Sequence, residues 1–247
     1  MIVCYARGGG LGHLTRMRAY LHTVHPGAEA VILTEPPAPG MLEGAAEFVV
    51  DAFPAGLEGE LSAFDVPAGV AVVHLARLLL WEAYRPLIPD DAPRFDRTWL
   101  VEPVTDPHLT YLREISGAVA PLHLADPPAP AATAPADWLV VHSGPDHETL
   151  ELVAYARECA ALEGARPSLA LISPAAPDGL PPDIRHVVIN PAWPLFATAD
   201  RIVSAAGFNT VRQAAPHRDR HRVLPFPRRF DDQFTRAARL RARQGRT

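Results

Sequence analysis

The 247 residues of this chain predict an α/β protein with mainly parallel sheet, divided into two domains. Three observations carry that expectation. Val-rich apolar runs of strand length alternate with helical patterns along almost the whole chain, the arrangement that βαβ units produce. An Ala-Pro stretch, ADPPAPAATAPAD at 125–137, has no apolar period and interrupts the alternation, as a linker does. Directly after it the strand-then-helix rhythm restarts in WLVVHSGPDHETLELVAYARE.

In chain order, β-type runs fall near 2–5, 30–33, 47–50, 70–74 and 98–101 before the Ala-Pro stretch, and near 138–142, 168–172, 186–189, 201–204 and 222–224 after it. Helical patterns fit at 12–24, 74–84, 147–163, 208–215 and 231–243. The expected division is therefore a first domain over 1–126, a linker over 127–136 and a second domain over 137–247. Two α/β domains joined by a hinge are expected to bind their ligand in the cleft between them, at the carboxyl ends of the strands.

Composition narrows the classes. Hydrophobic residues make up 48% of the chain, enough for real cores. No apolar run reaches the roughly 18 residues of a membrane span, and no signal-peptide pattern opens the sequence, so a cytoplasmic protein is expected. Cys4 and Cys159 fit a reducing compartment, packed as small apolar groups. The chain has no lysine, and residues 217–247 hold ten arginines against three aspartates, about +7 beside a net −5 for the whole. A basic tail is one mark of nucleic-acid binding. The favoured reading is a solvated terminal helix beside an anion site, with no nucleic-acid partner. His142, His147, His217 and His221 lack a compact ligand spacing, so no structural metal is expected. No G-x-S-x-G elbow supports a serine hydrolase.

ARGGGLGHLTRMRAYL, residues 6–21, comes directly after the apolar stretch MIVCY and with it reads as a strand, a glycine turn and a helix. Such a unit brings bare N–H groups toward an anion or polar ligand. It is not a dinucleotide fingerprint: with Gly8 and Gly10 as the first pair, the third glycine would fall at His13. Glu35, after the second run, is a weak stand-in for the acidic ribose ligand. A Walker A loop needs a lysine, which the chain lacks. Gly9, Gly10 and Gly12 are then candidate acceptor-loop residues. His13 is a candidate general base, because a neutral imidazole can take a hydroxyl proton as that oxygen attacks. Position alone leaves open whether it only hydrogen-bonds the loop.

A second constellation lies in NPAWPLFATADRIVSAAGFNTVRQAAPHRDRHRVLPFPRRFDDQFTRAARL, residues 190–240. Gly207 permits close backbone approach, while Asn209 and Thr210 offer side-chain donors at a helix start. Asp232 and Gln233 supply an acceptor and an amide suited to vicinal hydroxyls. This pattern resembles the nucleotide-sugar half of GT-B glycosyltransferases. It is similar to the plant secondary-product box and to the corresponding region of MurG-type (family 28) and UDP-glycosyltransferase-type enzymes.

The resemblance implies two Rossmann-like domains facing a central cleft. It implies sugar transfer from a nucleotide-diphosphate sugar, UDP-linked, to an acceptor hydroxyl with inversion and without a bound metal. Asn209 and Thr210 match phosphate-contacting positions, Asp232 and Gln233 the sugar-contacting pair, and Ser143 and Gly144 the first loop of the second domain. GGGLGH matches the acceptor-side loop, with His13 at the base position. Gln213 stands where the family's ribose-binding glutamate lies, Ala205 replaces a histidine and Arg236 an asparagine, and the chain is short for the family. A silent nucleotide-sugar-binding protein and a nucleotide-sugar epimerase are the alternatives. No cofactor is implied beyond the nucleotide-sugar co-substrate. The acceptor is unknown, a lipid-linked one with peripheral membrane contact being one candidate.

Other residues are weaker candidates. Trp193 could stack on a base but is expected to pack. HLARLLLWEAYRPL (74–87) could meet a lipid acceptor or membrane surface, although a buried helix is favoured. Glu102 could touch an acceptor or lie in a solvated loop. Arg228, Arg229 and Arg236 could add charge beside the diphosphate.

Overall fold

The computed structural model describes residues 1–7 and 11–244. It resolves into two compact units: Met1–Pro127 with Arg229–Asp231, and Pro128–Arg228 with Asp232–Thr247.

The first unit is built on β1 (Ile2–Tyr5), β2 (Ala30–Leu33), β3 (Glu47–Ala52), β4 (Ala71–Ala76), β5 (Arg97–Leu100) and β6 (Val119–Pro121), with helices α1 (Leu11–Val24), α2 (Trp81–Tyr84) and α3 (Asp106–Ile115). The six strands form one sheet in the order β2-β1-β3-β4-β5-β6, and every pairing is parallel. Sheets of this kind are covered on both faces, so their central strands read as unbroken apolar runs. IVCY of β1 is buried throughout, as is FVVDA of β3 after its first residue. Val3, Tyr5, Phe48, Val50 and Val72 form one core cluster. Cys4 is fully buried, and burial pushes its thiol up to about 12.

The helix expected at 74–84 is not there. Residues 71–76 are β4, a central strand paired with β3 and β5, and only Trp81–Tyr84 is helical. The apolar spacing of VVHLARLLL fits either period, and two parallel neighbours decide it in favour of a strand. The apolar bulk of this segment lies in the core, as expected for the buried reading: His74, Leu75, Leu78, Leu79, Trp81 and Tyr84 are all buried. Among the described residues, no helix is long and apolar enough to cross a membrane.

Residues 229–231 complete this unit from far along the sequence. Asp231 bridges Leu79 antiparallel, and Leu80 N–H donates to the Phe230 carbonyl at 2.7 Å. Phe230 is buried against Phe53 and Tyr84, their rings edge-on at 5.8 and 5.5 Å. Arg77 pairs with Asp231, and Arg229 with Glu58.

The second unit carries β7 (Trp138–Val141), β8 (Leu169–Ile172), β9 (Arg185–Val187), β10 (Arg201–Ala205) and β11 (His221–Leu224), with α4 (Asp146–Leu162), α5 (Phe208–Gln213) and α6 (Gln233–Gln244). Its parallel sheet runs β11-β10-β7-β8-β9. Val140, Leu152, Leu171 and Val203 sit in the core between the sheet and α4, with Cys159 on its margin. Of the Ala-Pro stretch, 125–134 has no regular structure. Ala132, Ala134 and Ala136 pack on this unit, and the Ala134 N–H donates to Thr198 Oγ1 at 2.8 Å.

Each sheet reverses its direction of winding once. In the first unit, β2 lies on one side of β1, and β3 with its successors on the other. In the second unit, β8 and β9 lie on one side of β7, and β10 and β11 on the other. At such a switch point the loops leaving the two strands part, opening a crevice at their carboxyl ends.

Candidate functional site

The first switch point, between β1 and β3, holds His13 and Asp51. His13 is the third residue of α1, and Asp51 is the penultimate residue of β3. His13 Nδ1 lies 2.6 Å from Asp51 Oδ2. A carboxylate only accepts, so Nδ1 carries the hydrogen toward Asp51, and Nε2 is the ring nitrogen left free of this bond. The Asp51 side chain is fully buried, and Arg16, one helical turn beyond His13, binds it with Nε on Oδ1 and Nη2 on Oδ2, each at 2.5 Å. Burial opposes ionisation of Asp51. The Arg16 charge and the hydrogen bonds from His13 and Arg16 overcome it and hold the carboxyl well below the usual range.

The backbone turns sharply beyond this pair. Ala52 has φ +63°, and the Phe53 N–H reaches back to the Asp51 carbonyl at 2.7 Å. A left-handed alanine costs roughly 1–2 kcal/mol, here where β3 ends beside His13. Phe53 places its ring 6.4 Å from the imidazole. Gly12 is exposed in the first turn of α1. Gly9 and Gly10 lie outside the described residues. Glu35 is exposed after β2, and Glu102 Oε1, in the loop after β5, accepts the Leu78 N–H of the loop after β4 at 2.9 Å.

The second switch point lies between β7 and β10, and the loops that leave these strands carry most of the candidates of the second half. Ser143 and Gly144 are exposed in the loop leaving β7. Gly207 stands at the cap position of α5, two residues beyond the end of β10, with room for a Cβ that would meet no neighbouring side chain or backbone within 4 Å. Asn209, Thr210 and Gln213 follow on α5, all half-buried. Ala205 is buried at the end of β10. Asp232 and Gln233 open α6, and each has work within the fold. Asp232 Oδ1 caps the helix by accepting the Thr235 N–H at 2.9 Å, and Gln233 Oε1 accepts the buried Phe226 N–H at 3.0 Å.

The three arginines have different partners. Arg236 is buried and its Nη1 donates to the Ala206 carbonyl at 2.9 Å, tying α6 to the start of α5. Arg229 belongs to the first unit, on Glu58. Arg228 pairs with Glu148 of α4, which also meets His142 Nε2 at 3.0 Å. Trp193 is half-buried and packs on the core cluster with Leu195 and Phe196, as expected.

Asp51, Arg16 and Glu148 are the site residues that the sequence reading passed over. An aspartate inside the apolar run FVVDAF was the available signal, since a buried carboxylate requires a partner. A groove of about 750 Å³ lined by Arg157, Arg166, Ser168 and Asp183 opens at the other end of the second sheet, where β8 begins, and contains none of the candidates. Among the described residues, no three histidine, cysteine or carboxylate side chains converge to hold a metal ion.

No protein-family model matches the chain, and no curated protein matches its sequence. Solved structures do. The spinosyn forosaminyltransferase SpnP superposes with a TM-score of 0.58 at 13% identity, over 98% of this chain and 83% of the other. The spinosyn rhamnosyltransferase SpnG gives 0.54 at 16% identity, over 98% and 84%. SpnG complexed with thymidine diphosphate gives 0.55 at 15% identity, over 99% and 85%. The fold is of the GT-B type. The two sheets of 6 and 5 parallel strands are the two Rossmann-like parts of that GT-B fold. Ser143 and Gly144 follow β7, and Gly207, Asn209, Thr210 and Gln213 follow β10, the two strands of the second sheet's switch point, while Asp232 and Gln233 open α6 beyond β11 and His13 stands at the switch point of the first sheet.

Proposed function

We propose that this protein is a glycosyltransferase that moves a sugar from a nucleoside-diphosphate sugar to an acceptor hydroxyl with inversion. The observation that carries the reading is the His13–Asp51 pair, at the switch point of a sheet whose fold is that of glycosyltransferases. With Nδ1–H committed to Asp51, Nε2 takes the proton of the acceptor hydroxyl. The acceptor oxygen bonds to the anomeric carbon as the bond from that carbon to the diphosphate oxygen breaks. Asp51 fixes the tautomer and stabilises the imidazolium that forms. Ser143, the Gly144 backbone, Asn209 and Thr210 hold the leaving diphosphate through donors that need no rearrangement as charge develops. Gln213 faces the ribose, and Asp232 and Gln233 the sugar hydroxyls.

The resemblance to family motifs suggests a uracil nucleotide, and the thymidine diphosphate of the SpnG complex makes thymine the second pyrimidine to test. Thermal unfolding of the full chain with UDP, TDP and the free nucleosides is the first experiment, because a ligand stabilises according to its concentration over Kd. A diphosphate is expected to stabilise more than its nucleoside, and Thr210→Val to erode that difference. Equal losses for diphosphate and nucleoside would contradict the phosphate assignment. Binding with no transfer to any acceptor, and no hydrolysis of labelled donor, would instead mark a silent nucleotide-sugar-binding protein.

A further inference from the structure

The Ser143–Gly144 loop rests on a charged cluster. Glu148, in the first turn of α4, is 6% exposed, and Arg228 grips it with Nη1 on Oε1 and Nη2 on Oε2, each at 2.5 Å. His142, the residue after β7, is buried and meets Glu148 Oε2 through Nε2 at 3.0 Å. The cluster lies directly against the loop: a Cβ built on Gly144 would fall 2.4 Å from His142 Nε2 and 3.0 Å from Glu148 Oε2. Gly144 is therefore required as glycine by the imidazole beneath it, whatever ligand lies above.

With the imidazole neutral, the Arg228 and Glu148 charges cancel, and the cluster offers nothing to an anion. A diphosphate on this loop brings at least two negative charges close to a buried carboxylate. Glu148 cannot withdraw, because Arg228 and His142 hold both of its oxygens. Swinging Arg228 toward the ligand would strip a buried carboxylate of its cation, which is strongly unfavourable. A proton on His142 removes the conflict without moving a heavy atom, since an imidazolium there bonds Glu148 and faces the anion together. We propose that His142 is a positioning residue that takes up a proton when a nucleoside diphosphate settles on the Ser143–Gly144 loop, which links donor affinity to pH. This rests on the reading of the second unit as the donor half. The groups facing His142 are Glu148 and His147 from α4, Arg228 beyond β11, and the Phe226 ring at 5.9 Å. Burial, helped by Arg228 and His147 and opposed by Glu148, holds the imidazole below its ordinary value, so the free protein has that proton still to gain at neutral pH.

The test is calorimetric titration of the full chain with TDP near neutral pH, in two buffers of different ionisation enthalpy. His142→Gln keeps an amide N–H within reach of Glu148 but cannot take a proton. The parent is expected to draw protons from the buffer on binding, and the variant to draw fewer. The parent's Kd should weaken with rising pH more steeply than the variant's, by at most about tenfold per pH unit for one linked proton. Titration of the nucleotide's own phosphate is common to both. If His142→Gln does not fold, ring nitrogen signals of His142 in the parent, with and without TDP, replace it, and an unchanged ring overturns the proposal. Binding with equal proton uptake in parent and variant overturns the proposal alone. No binding of TDP or UDP by the parent overturns the donor-site reading and the proposal with it.

Discussion

Asp51→Asn is expected to destabilise the first unit far more than a single lost charge on the surface would. The Asp51 side chain is fully buried and the Arg16 side chain is 4% exposed. Each partner of the carboxylate is a donor: Nε and Nη2 of Arg16 and Nδ1 of His13. An asparagine must turn its NH2 toward one of these, which sets donor against donor, and Arg16 stays buried without its carboxylate. Breaking a buried pair from one side costs about 3–5 kcal/mol, which for a unit of this size lowers the unfolding midpoint by about 10–20 °C.

The assay is thermal unfolding by circular dichroism near neutral pH for the parent, Asp51→Asn, Arg16→Met and the double variant. Replacing both partners removes the unpaired charge, so the double variant should recover much of the loss, and the coupling between the two sites should be large. A loss below about 1 kcal/mol for Asp51→Asn, the worth of an exposed pair, would refute the buried bidentate geometry. The folded carboxyl lies well below its unfolded value. The pair's contribution is therefore complete above about pH 4, the unfolded carboxylate value, and is lost as pH falls through the folded value.

Three further outcomes are expected. His13→Ala should leave TDP or UDP affinity nearly unchanged and slow sugar transfer by about 10²–10⁴-fold, the worth of a positioned general base; transfer at the parental rate would place the base elsewhere. His221 is buried with Nε2 2.8 Å from Ser204 Oγ, and burial, with Arg222 and Arg218, lowers it from 6.5 to about 4. Its contribution to stability is complete above the unfolded value and is lost as pH falls from about 6.5 to about 4, a change of about 3 kcal/mol; denaturation across that window should show a shallower slope for His221→Gln, and equal slopes would sink the assignment. Phe230→Ala should cost about 3–5 kcal/mol in urea unfolding of the full chain, whereas a loss typical of an exposed residue would show that the ring is not part of the first core.

The strands were legible because a parallel sheet buries both faces of each one, leaving runs such as IVCY and WLVV that few other environments produce. HLARLLL defeats the same reasoning: its apolar residues fit either period, and only the neighbours β3 and β5 fix its first three residues as strand. β6 is three residues long and α3 carries a proline in its first turn, too little pattern for either to stand out. His13 stood out through its glycine-rich surroundings. Asp51 did not, because what defines it is a partner 38 residues away. Asp232 and Gln233 were visible as a pair, but their capping and bracing contacts depend on where α6 starts and on the distant Phe226 N–H. Glu148 looked like an ordinary first-turn acid of α4 until Arg228, 80 residues on, was placed against it.

Because Arg229–Asp231 belong to the first unit, that unit is not a continuous stretch of gene. A ribosome that has finished Pro127 must still make the second unit up to Arg228, which at ordinary rates takes about 5–20 s. Through that interval Phe53, Leu79 and Tyr84 wait without the ring that packs on them in the finished chain. A fragment ending at the Ala-Pro stretch would keep that exposed face permanently. Splitting the protein at its linker is therefore expected to yield an aggregation-prone first half. A peptide spanning residues 229–231, supplied in trans or fused beyond Pro127, is the natural repair.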